Sequence, residues 1–422
     1  MNGRRKLRVL IIGTRPVIPQ KDGRTYLLDQ YSRIIINNLH GEVYFACFSI
    51  EKEQPSYFSK VFGIEEPNLI EKGANVLIKS FILKKWPIQT SLMYSRKANK
   101  EISEIVKMVS PNVIICDMIR TAPYVVNLGQ SVKKVLDIDD LLSKRYWRQS
   151  ELDNLDDTVI GQMREKIPSL ILRFISKHNI MKNLLVKEAK LMERYELSET
   201  KNFDEVFFCS PQDTKEFNAK SEKKAKCVHV AVNVENFSTA WETEYDENTI
   251  GYVGNIDIAA NKDSVRYLIN NIMPEIRKKN DHIRLLVIGK CSEENYKELC
   301  IEDGIEFTKY VDDIKEYAKK CLAIVAPIQY GSGIKIKIIE SMAMKIPVIT
   351  NNLGVEGLRA ENKRDIIICD NVSDYVKSVL QLNSDKTMRN MIGNNGFEYV
   401  STFHSMERSI QDLGNVLITD YE

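Results

Sequence analysis

Short apolar runs alternate with longer amphipathic segments along most of this chain, and that alternation constrains the fold more tightly than any other feature. The runs Leu7–Ile12, Val43–Phe48, Asn75–Ile78, Val113–Cys116, Val132–Asp137, Val206–Cys209 and Cys227–Val232 read as strands. Between them, Arg24–Leu39, Ser95–Val109 and Pro123–Gly129 read as helices. Such a rhythm implies βαβ units around a parallel sheet. It breaks between Arg148 and Glu196, a charged region with a helical pattern and no strand signal. The acidic, aperiodic stretch Ser238–Asn248 reads as a linker, and a second alternation follows it. Its strands are Thr249–Val253, Ile283–Ile288, Ile305–Phe307, Leu322–Ala326, Ile346–Ile349 and Asp365–Cys369. Its helices are Lys262–Arg277, Glu293–Cys300, Ile314–Lys320 and Ile334–Met344, with further helices to the end. The expected fold class is therefore α/β, with two Rossmann-like halves. The first spans 1–237 with a helical insertion at about 148–197, and the second spans 249–400. In open parallel sheets ligands bind beyond the carboxyl ends of the strands, so two such edges are expected to face each other across a cleft.

Composition narrows the function classes. The 422 residues suffice for two cores, and a net charge of +2 gives no general nucleic-acid surface. No apolar run approaches the length of about 18 residues that a membrane span needs. The basic N-terminus leads into a run too short for a signal peptide and reads as a first strand. The eight cysteines contain no CxxC pair, and most sit in or beside apolar runs. Buried free thiols in a reducing, cytoplasmic setting are expected. The five histidines are scattered without metal-ligand spacing, so no Cys/His metal site is expected.

One segment carries most of the chemistry. Gly331, Ser332 and Gly333 form a turn able to expose backbone N–H groups, ahead of a helix with apolar residues at Ile334, Ile338, Ile339, Met342 and Ala343. A helix N-terminus suits phosphate, and Lys335 and Lys337 add full charges there. Glu340, one turn beyond Lys337, could accept hydrogen bonds from vicinal hydroxyls such as those of ribose. Diphosphate beside ribose describes a nucleotide. A glycine turn before an amphipathic helix with solvated lysines remains the plainer reading of the segment alone.

Several stretches together resemble glycosyltransferase family 4, in particular a bacterial subgroup acting on exopolysaccharide or capsule. They are Tyr252–Asp263, Leu285–Gly289, Tyr310–Ile314, Val325–Ile328, Gly331–Val348 and Gly354–Gly357. Arg15–Arg24, Val135–Asp140 and Val230–Phe237 are compatible with the family's first half. The resemblance implies the GT-B architecture, with acceptor in the first domain, nucleotide sugar mainly in the second, and a last helix, 401–422, crossing back toward the first. It also implies retaining hexosyl transfer to a growing, lipid-linked or free glycan, without a cofactor or bound metal. Departing diphosphate is then neutralised by basic groups and N–H groups. On that pattern the donor contacts fall at Gly23, Arg24, Gly254, Asn255, Gly331, Ser332, Gly333, Lys335, Lys337 and Glu340. Base recognition in such folds often uses backbone near a loop like Thr308–Val311. The sequence departs from the family pattern at four places. Ser332 stands where the first of two glutamates is usual, Asn255 where an arginine is, and Ala260 where a lysine is, with Lys262 displaced by two. Lys345 replaces a glycine.

Lys337 and Glu340 are the residues expected to matter most for transfer. An acceptor base is open between Asp117 and Asp139, each at the C-terminal end of a strand candidate, and departing phosphate could serve instead. The stretch 167–187 is apolar with nearly all-basic charges. It reads either as a helix packed on the first half or as a peripheral contact with the inner face of the membrane. Two other classes stay open. One is a non-catalytic nucleotide-sugar-binding module, and the other a sugar-nucleotide epimerase of the same fold. No GxGxxG follows the first strand, which weighs against an NAD enzyme.

Overall fold

The computed structural model describes residues 6–18, 23–48, 50, 53–129, 131–151, 178–240, 244–300, 303–331 and 333–418. The chain divides into two compact units. One comprises Met1–Ser150, Lys182–Val228 and Ile410–Glu422, and the other is built on His229–Ser409.

The first unit is a seven-stranded sheet of β1 (Arg8–Gly13), β2 (Glu42–Phe48), β3 (Lys60–Ile64), β4 (Val113–Asp117), β5 (Lys133–Asp139), β6 (Glu205–Phe208) and β7 (Lys226–Cys227). The spatial order is β3-β2-β1-β4-β5-β6-β7, parallel throughout. Central strands read as unbroken apolar runs because both faces are covered: Leu10, Ile11, Ile12, Val113, Ile114 and Ile115 are all buried. The helix Arg96–Val109 starts where the Ser95 hydroxyl accepts the N–H groups of Lys97 and Ala98, and it stops at Ser110 in the left-handed region (φ 48°). Helix Met406–Leu417 buries Leu413, Val416 and Leu417, and Lys226 donates to the Asn415 carbonyl at 3.1 Å.

The second unit has six parallel strands: β8 (Asp246–Val253), β9 (Arg284–Ile288), β10 (Ile305–Phe307), β11 (Cys321–Ala326), β12 (Val348–Thr350) and β13 (Ile367–Ile368). Their order is β10-β9-β8-β11-β12-β13. Its core gathers Ile250, Tyr252, Leu285, Val287, Ala323 and Val325 from the sheet with Val265, Leu268 and Ile272 from the helical run after β8.

Three local expectations are corrected, and one strand, β3, was not anticipated. Asn75–Ile78 is helical rather than a strand, because the Asn68 side chain caps a helix Leu69–Asn75 that continues as a π-helical turn, Val76–Ile82. Tertiary hydrogen bonds, Asn75 to the Tyr94 carbonyl and Ser80 to Ser91, hold it there against the β preference of Val76 and Ile78. Pro123–Gly129 gives way to a 3-10 helix, Ile119–Tyr124. The edge strand β3, interrupted by Gly63 and half-exposed, lacks the apolar alternation that would announce it. The acidic stretch taken as linker is partly strand. β8 begins at Asp246, whose carboxylate is engaged by Arg284 (2.6 Å) and Thr249 (2.7 Å). All eight cysteines are free, and six are buried.

Candidate active site

In the second unit β8 lies between β9 and β11, so successive connections leave it in opposite directions. This is a topological switch point, where the C-terminal ends of parallel strands leave a crevice. Gly254 and Asn255 follow β8, Gly289 follows β9, and Gly331 and Gly333 follow β11, all on that edge. Gly331 (φ 127°) and Gly333 (φ 70°) adopt backbone that side chains resist, which lets the turn run straight into the helix Ile336–Ala343. Among the described residues no side chain caps that helix, and of its first N–H groups that of Ile338 is met by the Lys335 carbonyl at 2.8 Å. Ser332 lies outside the described residues.

Lys337 bridges the crevice from the β11 side. Its ammonium donates to the Tyr252 hydroxyl (2.7 Å) and to Asn261 Oδ1 (2.5 Å), and it lies 4.6 Å from the centre of the Tyr252 ring. Burial lowers its pKa to about 7, and neighbouring Lys335 pushes the same way. Two acceptors use two of its three protons, so one is left for an incoming oxygen. Lys335 donates to the Gly333 carbonyl at 2.6 Å, bracing the turn. Asn255 accepts the Asp257 N–H on its side chain, and its carbonyl accepts from Asn261. Lys262 is tied to Glu298 at 2.6 Å.

Glu340 differs from the lysines here. Among the described residues its half-buried carboxylate has no hydrogen-bonding or ionic partner, and burial raises its pKa to about 7. It borders, with Lys337, a cavity of about 300 Å³ whose other walls include Phe237, Val311, Ile314 and Met344. Asp312, Asp313 and Lys315 line it as well. The apolar wall, the carboxylates able to accept from hydroxyls and the Lys337 cation beside a helix N-terminus are complementary to the three parts of a nucleotide. A larger cleft of about 630 Å³ is lined by Arg277, His282 and Arg284 at the opposite, N-terminal ends of the strands. Strand C-termini, not N-termini, carry ligands in such sheets, so the smaller cavity is the candidate site.

The first unit has its own switch point between β1 and β4, and it is closed by charge pairing. Gly23 opens the helix Gly23–Asn37, and Arg24, 6% exposed, turns inward. Arg24 Nε donates to Asp117 at 2.6 Å and Nη2 to Asp137 at 2.6 Å, while Asp139 lies 3.5 Å from Nη1. Asp117 accepts the Thr14 N–H on its other oxygen and is wholly buried. Burial would lower the Arg24 pKa, but the three carboxylates outweigh it and hold the group cationic. Burial raises Asp137 to about 7 and raises Asp139 as well. Asp139 retains 16% side-chain exposure and sits at φ 71°, in the left-handed region. Two candidates of the sequence, Arg24 and Asp117, are thus each other's partners, and Asp139 is the more open carboxylate.

Tyr252, Asn261 and Phe237 join the second-unit candidate site, though none stood out as a site residue in the sequence, while Val311 lies at the end of the loop Thr308–Val311 that the sequence had pointed to. Tyr252 and Phe237 are apolar-run residues, and nothing in a one-dimensional pattern aims them at Lys337 or the cavity. Of the stretch 167–187, residues up to 177 lie outside the described residues. From there on, Met181 and Leu185 are buried. Among the described residues no group of three or more His, Cys, Asp or Glu could hold a metal ion, and no helix is long and apolar enough to cross a membrane.

Residues 247–385, which include Gly254, the Gly331–Gly333 turn, Lys337 and Glu340, match the family model described as glycosyl transferases group 1. The matched segment lies within the second unit. The whole chain has the GT-B fold. It superposes on sucrose-phosphate synthase from Thermosynechococcus elongatus with TM-score 0.69 and 13% identity, covering 97% of this chain and 98% of that one. Staphylococcus aureus TarM, solved as a mutant with fondaparinux, alpha-GlcNAc-glycerol and UDP, gives 0.65 at 12% identity, with 98% and 100% covered. Anabaena HepE, solved with UDP and glucose, gives 0.62 at 10%, again with 98% and 100% covered. Over 171 residues the chain is 21% identical to an uncharacterized 44.6 kDa protein in the cps region of Klebsiella pneumoniae. That alignment spans 38% of this chain and 44% of the relative, less than half its length.

Proposed function

We propose that this group 1 glycosyl transferase domain works as part of a retaining hexosyltransferase, one that draws on a nucleoside diphosphate sugar and extends a glycan. The observation that carries the reading is the unpartnered Glu340 carboxylate sharing one cavity with the Lys337 ammonium at the β8–β11 switch point. In this reading the base lies against Phe237 and Val311, and the ribose hydroxyls donate to Glu340. The diphosphate meets Lys337, the Gly331–Gly333 turn and the N-terminus of the helix Ile336–Ala343.

Bond cleavage leaves negative charge on the diphosphate, so cations and N–H groups already aimed there favour the transition state over the bound donor. The reading assigns that task to Lys335, Lys337 and the helix end and calls for no bound metal. Asp139 is the carboxylate best able to meet an acceptor hydroxyl. Arg24 and Asp117 then keep the crevice of the first unit in shape, and departing phosphate remains able to take the proton. The solved relatives with UDP, and the curated relative in a cps region, support a uridine donor and a polysaccharide product as the first to try.

The test is a thermal-shift panel of nucleoside diphosphate sugars followed by transfer assays. A true donor raises the melting temperature. Glu340→Ala and Lys337→Ala are each expected to lower kcat/KM by roughly 100-fold, about 3 kcal/mol of lost transition-state stabilisation, while remaining folded. Full transfer by both variants would sink the site assignment, and donor binding without turnover by the wild type would sink the enzyme reading.

A further inference from the structure

The helical segment between β3 and the helix Arg96–Val109 is built inside out. Leu69 (62%), Ile70 (84%), Leu77 (58%), Ile78 (48%), Phe81 (40%), Ile82 (65%) and Leu83 (61%) are exposed. These are seven of the fifteen large apolar side chains exposed among the described residues, concentrated in one fifteen-residue stretch. The spacing 70, 74, 77, 78, 81 is the apolar stripe of an amphipathic helix, yet this stripe faces solvent. What faces the protein is polar. Lys72 is buried and paired with Glu66 at 2.9 Å, Asn75 donates to the Tyr94 carbonyl, and Ser80 is bonded to Ser91 at 2.8 Å. With polar groups satisfied inward, the helix has no rotation that would hide its stripe in its own unit. Exposed apolar surface of this extent marks an interaction site.

The rim of the stripe says what kind of surface fits. Lys84 and Lys85 are exposed at its end. Lys79 Nζ lies 3.5 Å from the Trp86 ring centre and 3.9 Å from that of Tyr94, and Lys187 Nζ lies 3.5 Å from the Phe81 ring centre. Arg96 adds a further cation, and its like charge with that of Lys85 depresses the Lys79 pKa after burial has done most of the work. Aliphatic side chains at the centre, tryptophan and tyrosine beside them and lysines around them are the layering of a bilayer interface with anionic headgroups. We infer that residues 69–86 are a peripheral docking surface for an anionic lipid bilayer. The segment leaves the sheet at the C-terminal end of β3, the edge where β1, β4 and β5 also end. Docking there brings the membrane to the side of the first unit that holds Asp139.

Vesicle flotation of the full chain tests this, using phosphatidylcholine alone and phosphatidylcholine with a minority of phosphatidylglycerol. The assay contains neither donor nor acceptor, so its outcome is independent of the glycosyl-transfer reading. Binding is expected only with phosphatidylglycerol present, weakening with salt. The double variant Ile70→Ser/Ile82→Ser should lose it by roughly tenfold or more, as should Lys84→Ser/Lys85→Ser. All four positions are exposed, so an unchanged melting temperature verifies folding. The inference is overturned if wild type fails to float, or if it floats and the Ile70→Ser/Ile82→Ser protein floats equally well. It is also overturned if sedimentation shows a dimer that this variant dissolves while lipid binding is absent, since the stripe would then be a contact between copies.

Discussion

The two sheets offer the same crevice and fill it in opposite ways. Each unit has one strand, β1 or β8, whose two neighbours are reached by connections running in opposite directions. In the first unit that place is occupied by a buried guanidinium clamped between Asp117 and Asp137. In the second it holds a half-buried ammonium with a proton to spare and a carboxylate with no partner. Topology therefore supplies the opening, while side-chain pairing decides whether it is scaffold or site. A charge compensated within the chain has little left for a ligand. A charge left uncompensated in a half-buried place lowers stability until something binds.

The sharpest way to break this comparison is to remove the clamp. Arg24→Met should destabilise the first unit by about 3–5 kcal/mol, because it strands Asp117 and Asp137 in the interior. Denaturant unfolding measures it. Adding Asp117→Asn and Asp137→Asn should recover a large part of the loss, and a loss under ~1 kcal/mol for Arg24→Met alone would mean the crevice is not held by that pairing.

Glu340 should behave in the opposite sense. Its folded pKa is raised to about 7 from 4.5, so the native state holds the extra proton between those values. Stability attributable to this group is therefore intact below pH 4.5 and declines as pH rises to about 7. Glu340→Gln should make the unliganded protein more stable by about 1–3 kcal/mol above pH 7 and by little near pH 4.5. A gain that is the same at both pH values would show that the carboxylate is not strained by burial. Stabilisation here alongside loss of donor use is the signature of a binding group.

The smallest effect expected is at the turn. Gly333→Ala places a side chain at φ 70° and should cost about 1 kcal/mol in stability. Its larger consequence is a raised KM for donor with kcat less affected, because the turn positions N–H groups rather than carrying charge. A variant unchanged in both would remove the turn from the site.

Much of this was legible from residue order. Lys337 and Glu340 are three positions apart in the helix Ile336–Ala343, so their lying side by side follows from local geometry alone. The glycines at 331 and 333 announced a left-handed turn for the same reason. Arg24 and Asp117 lie 93 positions apart, and nothing in either neighbourhood says that one neutralises the other. Asn75–Ile78 misleads for a related reason: its β-branched residues favour a strand, and only hydrogen bonds to Tyr94 and Ser91 override them.

Sequence by itself determines the alternating βαβ rhythm, the two parallel sheets and the glycine–lysine–glutamate segment, because each depends on periodicity and short-range sterics. Packing across long sequence distances determines which charges are quenched and which stay available. It closes the first crevice with Arg24, seats Lys337 on Tyr252 and Asn261, leaves Glu340 without a protein partner among the described residues, and leaves the apolar side chains of 69–83 exposed. Coulomb and desolvation energies depend on distance in space and on burial, and neither is written along the chain.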